Sequence, residues 1–200
     1  MFVCVVLYTV QDSNWIFWLK FFFNTYGFRF RNTNLSSIFS GIALMSIKII
    51  PFEPRYASNF RDLNQAWLEK YFFVEPKDVL LLEDCEHSII EMGGYIFFSE
   101  YKKKMVGCFS LIKIKKDVFE LGKMAVDEDY QGMKIGQQLL AFALDFAREN
   151  NWKKLILYSS TKLDAALYIY RKYGFVEVLM EKDNPYERSD IKMELKLITD

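Results

Sequence analysis

The sequence predicts an α/β (α+β) domain in which helices cover both faces of a mixed, mostly antiparallel sheet. Two observations lead to this prediction. Strand-like runs come first and are separated only by short turns, which is typical of antiparallel strands. The later part alternates strand, helix, strand, helix and strand, which is typical of longer crossover connections. The two parts meet at 119–140, where a strand-like run leads through a glycine-containing corner into a helix.

The elements before the corner are four strands and two helices. The strands are predicted at Ile47–Ile50, Tyr95–Ser99, Met105–Ile114 and Phe119–Val126. The first helix, Phe60–Tyr71, has large apolar residues at helical spacing. The second helix begins around Pro76 and ends before Gly93. Asp78 is predicted to be its N-cap residue, because a carboxylate accepts hydrogen bonds from the first helical amides.

The region after the corner contains two predicted helices and three predicted strands. The first helix covers 133–150, where apolar residues recur at helical spacing: Leu139, Leu140, Ala143, Leu144 and Ala147. The second helix, Ala165–Tyr173, is followed by Gly174, which suits the left-handed position after a helix. The predicted strands are Leu155–Tyr158, Phe175–Met180 and Ile191–Ile198, and the loop Lys182–Asp190 joins the last two.

Residues 1–44 differ from the rest and are predicted to be an atypical N-terminal extension, which leaves 45–200 as the domain. The apolar runs Phe2–Val10 and Trp15–Phe23 are shorter than the roughly 20 residues of a membrane span, so no integral membrane segment is expected. No lysine or arginine precedes Lys20, which argues against a secretory signal. The extension is interpreted as a poorly packed addition, as sequence upstream of a natural start at Met45, or as a peripheral membrane contact.

The composition excludes several classes of protein. The 26 Lys and Arg residues equal the 26 Asp and Glu residues, so no excess of positive charge is available for a broad contact with nucleic acid. Cys4, Cys85 and Cys108 form no CxxC pair, which favours reduced thiols and a cytoplasmic location. The one histidine, His87, cannot complete a zinc site with these cysteines at usual ligand spacings. We therefore expect no metal and interpret His87 as a structural or surface residue.

The corner that follows Val126 is predicted to bind an anion. A strand, a glycine-containing turn and a helix start leave the first helical amides without internal partners, and the helix dipole favours negative charge there. Neither the phosphate-binding pattern GxxxxGK[ST] nor the dinucleotide-binding pattern GxGxxG occurs in the sequence. The residues alone therefore predict an anion site without identifying the anion.

The corner resembles the signature of the GNAT superfamily of N-acetyltransferases, Gln/Arg-x-x-Gly-x-Gly/Ala. Gln131 takes its first position and Gly136 its last. Lys134 stands where the first signature glycine usually lies, and Gly132 nearby keeps the turn flexible. The Lys134 side chain could crowd a bound diphosphate, or its ammonium group could pair with it.

A second family hallmark lies further along the chain. Residues 166–175 resemble the pattern A-x-x-L-Y-x-x-x-G-F, with Ile169 in place of the leucine. Leu163 replaces an asparagine that is frequent three residues before the alanine. The two hallmarks occur in the expected order with a strand between them. The resemblance therefore implies the family's architecture, a GNAT-like sheet with helices on both faces, over about 45–197.

The resemblance implies that the protein uses acetyl-coenzyme A as its acetyl donor. Backbone amides of the corner would hold the diphosphate, and they belong to Gln131, Gly132, Met133, Lys134, Ile135, Gly136 and Gln137. The preceding strand end would pair with the pantetheine arm as with a neighbouring strand, through the main chain of Met124, Ala125 and Val126.

The resemblance also implies the catalytic residues. Glu120 is the candidate base, directly or through water, and its alternative interpretation is a solvated strand residue. Tyr170 matches the family's tyrosine near the leaving sulfur, where a phenol with a pKa of about 10 can protonate a thiolate, and its alternative is packing alone. The amide of Met124 is expected to donate to the oxyanion. No covalent intermediate is required, and Cys108 is predicted to be a core residue.

The acceptor is expected to bind between the early helices, Phe60–Phe73, and the loop Asp183–Asp190. In that loop Tyr186 is available, Glu187 could hold an amine and Arg188 a carboxylate. The resemblance implies a small-molecule amine or a protein amino group as acceptor, no nucleic acid partner, and compatibility with a homodimer. The alternative function is a non-catalytic acyl-coenzyme A-binding or interaction module, for which Lys134 and Leu163 are the best support.

Overall fold

The structure is a computed structural model that describes residues 46–197. The predicted extension 1–44, the proposed start Met45, Cys4 and Ile198 lie outside the described residues. Within them, seven strands form one sheet in the order β1-β2-β3-β4-β5-β7-β6. Their bounds are β1 Lys48–Pro51, β2 Tyr95–Tyr101, β3 Lys104–Lys115, β4 Val118–Val126, β5 Lys154–Ser159, β6 Val176–Val178 and β7 Ile191–Lys196. Only β4 and β5 run parallel, so the predicted mixed, mostly antiparallel sheet is confirmed.

Four α-helices lie in the described part of the chain. They are α1 Ala57–Tyr71, α2 Pro76–Glu83, α3 Ile135–Glu149 and α4 Asp164–Lys172. The predicted helices are present with ends shifted by a few residues, except that the second stops at Glu83 and a π-helical segment, Glu86–Glu91, follows it. Short 3-10 turns occupy Pro54–Tyr56 and Glu128–Tyr130. No helix within residues 46–197 is long and apolar enough to cross a membrane.

The sheet separates two hydrophobic cores, and alternation along β2 shows how. Phe97 belongs to the core under α3, whereas Phe98 belongs to the core under α1 and α2. The α3 residues that were predicted to be apolar at helical spacing are all buried in the first core: Leu139, Leu140, Ala143, Leu144 and Ala147. Phe60 and Leu68 of α1 fill the second core. Each large apolar side chain buried in this way contributes roughly 1.5–3 kcal/mol, and the two cores place helices on both faces.

The prediction that Asp78 caps α2 is wrong. The N-cap residue is Glu75, which has an extended backbone, and Pro76 occupies the first helical position. Asp78 lies one turn inside the helix, where its carboxylate accepts a hydrogen bond of 3.0 Å from the Glu75 amide. Proline is favoured in the first turn because its missing N–H would have no helical partner there, so the helix starts before Asp78 rather than after it.

Strand β4 separates from β5 partway along its length. The register between β3 and β4 shifts between Cys108 and Ser110, and Lys123 in the bulge has a positive φ of 50°. Strands β4 and β5 pair only over Val118–Glu120. A β-bulge bends its strand and increases the local twist, so β4 diverges from β5 beyond Glu120 and a gap opens between them.

Candidate active site

A cavity of about 680 Å³ lies in the gap between the diverging strands. Seven of the predicted site residues line it: Glu120, Met124, Val126, Gln131, Gly132, Gly136 and Tyr170. Helix α1 closes one side through Asn64, Trp67 and Leu68, and the loop between β6 and β7 closes another through Tyr186 and Arg188. The structure therefore brings both predicted catalytic residues and half of the predicted donor-binding residues to one cavity, whereas the lining does not include Ala125, Met133, Lys134, Ile135 or Gln137.

The residues Gln131–Gln137, here named the amide corner, present a run of free backbone N–H groups that begins at Gly132, because the Gln131 amide donates to the Glu128 carbonyl at 3.1 Å. The first helical hydrogen bond of α3 runs from the Gln138 amide to the Lys134 carbonyl at 3.1 Å. Within the described residues, the amides from Gly132 to Gln137 have no acceptor. The Ile135 side chain points into the core, so this residue offers only its main chain. Successive free amides at a helix start suit an anionic group such as a diphosphate.

Lys134 holds an unusual backbone conformation at the start of α3. Its φ of 59° and ψ of 22° lie in the left-handed region, and Gly132 before it has a φ of 81°. Glycine adopts such angles without strain, whereas a side chain makes them cost roughly 1–2 kcal/mol. The conformation explains why a glycine would fit at this position. The exposed Lys134 ammonium forms no ion pair with a described residue, so it is free to meet an anion.

The end of β4 has a free edge on the cavity side. The Asp127 amide donates to the Val106 carbonyl of β3 at 2.9 Å. The backbone N–H and C=O groups of successive residues point to opposite sides of a strand. The N–H and C=O groups of Val126 and Met124 therefore face away from β3, toward the gap in which β4 no longer pairs with β5. Ala125 faces the other way, and its side chain is buried in the second core. This free edge suits an extended ligand that pairs through its amides, as a pantetheine arm does.

Glu120 is buried, with 2% of its surface exposed, which rules out the interpretation as a solvated strand residue. The Tyr186 hydroxyl donates a hydrogen bond of 2.8 Å to Glu120 Oε1. The other oxygen, Oε2, lies 4.0 Å from the Lys77 ammonium. Since Glu120 also lines the cavity, its carboxylate is accessible to a bound molecule from that side. A buried carboxylate that reaches a cavity is a candidate proton acceptor.

Ion pairs surround Glu120 and join the β6–β7 loop to α2. We name the six residues Glu75, Asp78, Glu120, Lys123, Tyr186 and Arg188 the charged network. Asp78 Oδ1 lies 2.9 Å from the Lys123 ammonium, and the Arg188 guanidinium contacts both Asp78 oxygens at 2.6 and 2.9 Å. Glu75 accepts hydrogen bonds from the amides of Glu187 and Arg188 at 2.9 and 3.0 Å. The loop is therefore fixed on α2 by side chains from distant parts of the sequence.

The charged network shifts the pKa of its members. Burial by itself would raise the pKa of Asp78, but the hydrogen bonds of Arg188 and the charge of Lys123 outweigh it and hold that pKa below its usual value. Burial lowers the pKa of Lys123, and the nearby Asp78 carboxylate opposes that change. Burial, together with the charge of Glu120, raises the pKa of Tyr186. Tyr186 therefore keeps its proton and acts as a donor.

Three cations surround the Tyr186 ring. The ammonium groups of Lys77 and Lys123 lie 4.4 and 4.5 Å from its centroid, and the Arg188 guanidinium lies 5.0 Å from it. Such contacts fix the ring, since each cation is attracted to the negative face of the aromatic system. The suggestion that Arg188 holds an acceptor carboxylate stays a prediction, and both of its terminal nitrogens already bind Asp78. Glu187 is exposed on the loop.

Tyr170 lies on α4 and faces the cavity. Its ring centroid is 5.9 Å from that of Phe175, and its hydroxyl forms no hydrogen bond within the described residues. Burial raises the pKa of Tyr170 to about 12. The hydroxyl therefore stays protonated at neutral pH, but it releases its proton less readily than a phenol in water, so hydrogen bonding to a thiolate is easier than complete proton transfer.

Sequence reasoning missed most of the charged network. Lys123 gave a local signal, because a lysine within a largely apolar strand requires a buried partner or an exposed site. The sequence around Glu75 and Asp78 did not indicate which residues they pair with, because those residues lie more than 40 positions away along the chain. Of the remaining predictions, Cys108 is confirmed as a core residue, and His87 is exposed and paired with Glu91. The described residues contain no group of three or more His, Cys, Asp and Glu side chains that could hold a metal ion.

Comparison with known proteins agrees with this geometry. An uncharacterized N-acetyltransferase of Dictyostelium discoideum is 29% identical over 80 residues, which cover 40% of this chain and 37% of that protein. The chain thus spans well under half the length of this curated relative. Among solved structures, a GNAT-family acetyltransferase of Staphylococcus aureus Mu50 has a TM-score of 0.68 at 24% identity. The match covers 76% of this chain and 100% of the Staphylococcus aureus chain.

A second solved structure is the PaiA N-acetyltransferase of Thermoplasma acidophilum in complex with coenzyme A, with a TM-score of 0.60 at 19% identity. The match covers 76% of this chain and 99% of the PaiA chain. At these identities both structures establish a common fold. Residues 57–175 match the Acetyltransferase (GNAT) family, which is more than half of the chain. With the family's two hallmarks lining one cavity, this chain belongs to the Acetyltransferase (GNAT) family.

Proposed function

We propose that the protein transfers an acetyl group from acetyl-coenzyme A to a primary amine by direct attack, without a covalent enzyme intermediate. The observation that carries this proposal is the single cavity lined by both the amide corner and the buried Glu120. The two are joined by β4, whose seven residues from Glu120 to Val126 make six steps and span roughly 20 Å. An extended ligand that binds by its diphosphate at one end can thus present a reacting group near Glu120.

The residues that would hold acetyl-coenzyme A are those of the amide corner and the end of β4. The amides from Gly132 to Gln137 would bind the diphosphate, and Met124 and Val126 would pair with the pantetheine arm. The comparable complex of PaiA with coenzyme A supports this assignment. Acetyl-coenzyme A supplies an activated thioester, and the remaining steps belong to this chain's own residues.

Each proposed catalytic group has one task. Glu120 takes a proton from the acceptor ammonium, directly or through water, because only the free amine attacks a thioester. As the nitrogen lone pair forms the new bond to the acetyl carbon, the Met124 amide donates to the oxyanion. Tyr170 donates a hydrogen bond to the sulfur as the C–S bond breaks. The thiolate gains its proton from Tyr170 or water, and the nitrogen loses its second proton to water.

The experiment that tests this proposal measures thiol release from acetyl-coenzyme A across a panel of amines. Glu120→Gln should lower kcat/KM by about 10²–10⁴-fold, because a general base contributes that much. Tyr170→Phe should lower kcat by about tenfold, the effect of one hydrogen bond to a charged group. Glu149→Gln is the matched control, since Glu149 is exposed at the end of α3, and it should leave the rate unchanged.

Other outcomes would overturn the proposal. Tight binding of acetyl-coenzyme A with no turnover on any amine would favour the non-catalytic acyl-coenzyme A-binding module. Failure to bind acetyl-coenzyme A would exclude both functions. The position of the buried Glu120 carboxylate beside the cavity supports catalysis over the module, because perturbed or buried titratable groups in a cleft are typical of catalytic sites.

The acceptor, the location and the assembly belong to the same proposal. We expect a primary amine on a small molecule or a protein, a cytoplasmic location and a domain of residues 45–200, and a homodimer is compatible with this proposal. A protein that begins at Met45, stays folded and keeps its activity would show that 1–44 is dispensable for catalysis. A protein that loses thioester turnover on that truncation would contradict the domain boundary.

A further inference from the structure

We propose that Tyr186 is a positioning residue, which orients the Glu120 carboxylate so that one oxygen stays available to the acceptor amine. The inference rests on the proposed function, because it assigns a role within the same reaction. Tyr186 is 3% exposed, so its hydroxyl has to find partners inside the protein. Its partners are a carboxylate that reaches the cavity and a buried lysine.

The hydrogen bonds fix the direction of the Tyr186 proton. Lys123 Nζ lies 3.3 Å from the Tyr186 hydroxyl oxygen, and Glu120 Oε1 lies 2.8 Å from it. An ammonium group donates and never accepts, whereas an ionised carboxylate only accepts. The hydroxyl oxygen therefore accepts from Lys123, and its one hydrogen points at Glu120.

Because Tyr186 binds one carboxylate oxygen of Glu120, the other oxygen is left to accept a proton from the acceptor amine. Glu120 Oε1 is engaged by Tyr186, whereas the nearest cation to Oε2 is Lys77 at 4.0 Å, beyond hydrogen-bond distance. The hydrogen bond therefore holds Glu120 by one oxygen and leaves the other without a hydrogen-bond donor among the described residues. The hydrogen bond also restricts rotation of the Glu120 carboxylate. This matters because proton transfer requires the carboxylate oxygen and the amine nitrogen, or a water between them, to lie within hydrogen-bond distance.

The position of Tyr186 itself is determined by the loop that carries it. Asn184 accepts from the Tyr186 amide at 3.2 Å and donates to its carbonyl at 2.7 Å. The next two amides donate to Glu75, and the Arg188 side chain binds Asp78. Because Glu75 and Asp78 lie at the start of α2, the hydroxyl is held against Glu120 from outside the loop. A hydrogen bond that positions a reacting group accelerates the reaction more when the residue that makes it is itself held rigidly.

The test replaces Tyr186 by phenylalanine, which removes one oxygen and keeps the ring among its three cations. Tyr186→Phe should lower kcat about 10-fold or more, since hydrogen bonds to charged groups contribute that much. The KM for acetyl-coenzyme A should stay within about twofold, because the donor is bound elsewhere.

A double-mutant cycle separates positioning from a structural role. If Tyr186 acts through Glu120, Tyr186→Phe should cause almost no further loss in the Glu120→Gln background. Tyr95→Phe is the matched control, because Tyr95 packs among aromatic rings outside the cavity and its hydroxyl has no hydrogen bond within the described residues. It should leave both kcat and the KM for acetyl-coenzyme A unchanged.

Three outcomes would overturn the inference. An equal loss in both backgrounds would show that Tyr186 supports the fold alone. A wild-type rate in Tyr186→Phe would show that the hydrogen bond has no role in the reaction. If the wild type binds acetyl-coenzyme A but turns over no amine, the proposed function itself is contradicted. This inference then falls with it.

Discussion

The two ends of the cavity are built from different chemical groups. The amide corner uses consecutive backbone N–H groups that have no partner within the described residues, and its side chains are mostly exposed. The charged network uses side chains from three separate segments, and these are mostly buried and paired with one another. One end therefore depends on backbone shape, and the other depends on the identity of each residue.

This difference explains which departures from a family pattern are tolerated. Every residue except proline carries a backbone N–H, so Lys134 can replace a glycine and still present its amide, at the cost of a strained backbone. The charged network allows no such freedom. Removing one member leaves a charge buried without its partner, and this is far more costly than the pair's own net contribution. Three substitutions would test the contrast between the two ends.

The largest effect is expected at Asp78, which pairs with both Lys123 and Arg188. Asp78→Asn should lower the free energy of unfolding by about 3–5 kcal/mol, because two cations then lose their shared carboxylate. Urea denaturation measures this as a lower midpoint with an unchanged slope. If the ends are independent, affinity for acetyl-coenzyme A, measured well below the unfolding temperature, should change less than about twofold.

Asp62→Asn is the control for this substitution. Asp62 also pairs with an arginine, but its side chain is 65% exposed, so the free energy of unfolding should change by less than about 0.5 kcal/mol. A loss below about 1 kcal/mol at Asp78 would show that the charged network adds little to stability. A large loss of coenzyme affinity would instead show that the two ends are coupled.

An intermediate effect is expected at Tyr170, at high pH. Burial raises its pKa to about 12, above the usual value of about 10, so the folded protein keeps this proton longer than the unfolded chain. The free energy of unfolding should therefore fall as the pH rises from about 10 to about 12, and the share due to Tyr170 is about 2–3 kcal/mol. Tyr170→Phe should remove that share, which denaturation at a series of pH values measures.

Tyr168→Phe provides the comparison on the same helix. Tyr168 is 69% exposed, so its replacement should leave the alkaline loss of stability as it is in the wild type. An identical pH dependence in the wild type and Tyr170→Phe would mean that the Tyr170 hydroxyl is solvated. Tyr170 would then also be better able to transfer its proton completely to a thiolate.

The smallest effect is expected in the amide corner. Lys134→Gly relieves a left-handed backbone but adds the conformational freedom of glycine to the unfolded chain, so stability should rise by no more than about 1 kcal/mol. Coenzyme affinity should change less than about threefold if the backbone alone binds the diphosphate. A salt-dependent loss of tenfold or more would show that the ammonium pairs with the anion.

Lys116→Gly is the matched control for the backbone effect. Lys116 is exposed in the turn between β3 and β4, with a backbone outside the left-handed region. Its replacement should lower stability by about 0.5–1 kcal/mol, since only the entropic cost of glycine remains. The same sign of change at both lysines would contradict the claim that Lys134 is strained.

The sequence was informative wherever a feature is local. The helical spacing of Leu139, Leu140 and Ala143 predicted α3, and alternation along 119–126 predicted β4, because each pattern reflects packing within one element. The amide corner was predictable for the same reason, since it depends on a few consecutive residues. The start of α2 at Pro76 was predicted correctly, but its N-cap residue was not, because an aspartate near a proline fits either the N-cap or the first turn.

The remaining features depended on contacts between distant segments. Asp78, Lys123 and Arg188 each carry charges that would ordinarily be solvated on a surface, and nothing local indicates that they meet. Glu120 could be proposed as the base only by resemblance, whereas its burial and its bond to Tyr186 came from folding.

The sequence by itself thus determined the order of strands and helices, the position of the amide corner and the family resemblance, because periodicity and motif spacing are properties of neighbouring residues. The tertiary structure alone decided that β4 separates from β5, that Tyr186 reaches Glu120 and that two carboxylates of α2 hold the β6–β7 loop. The physical reason is that buried charges are stable only with partners, and those partners are selected by the packing of the whole sheet.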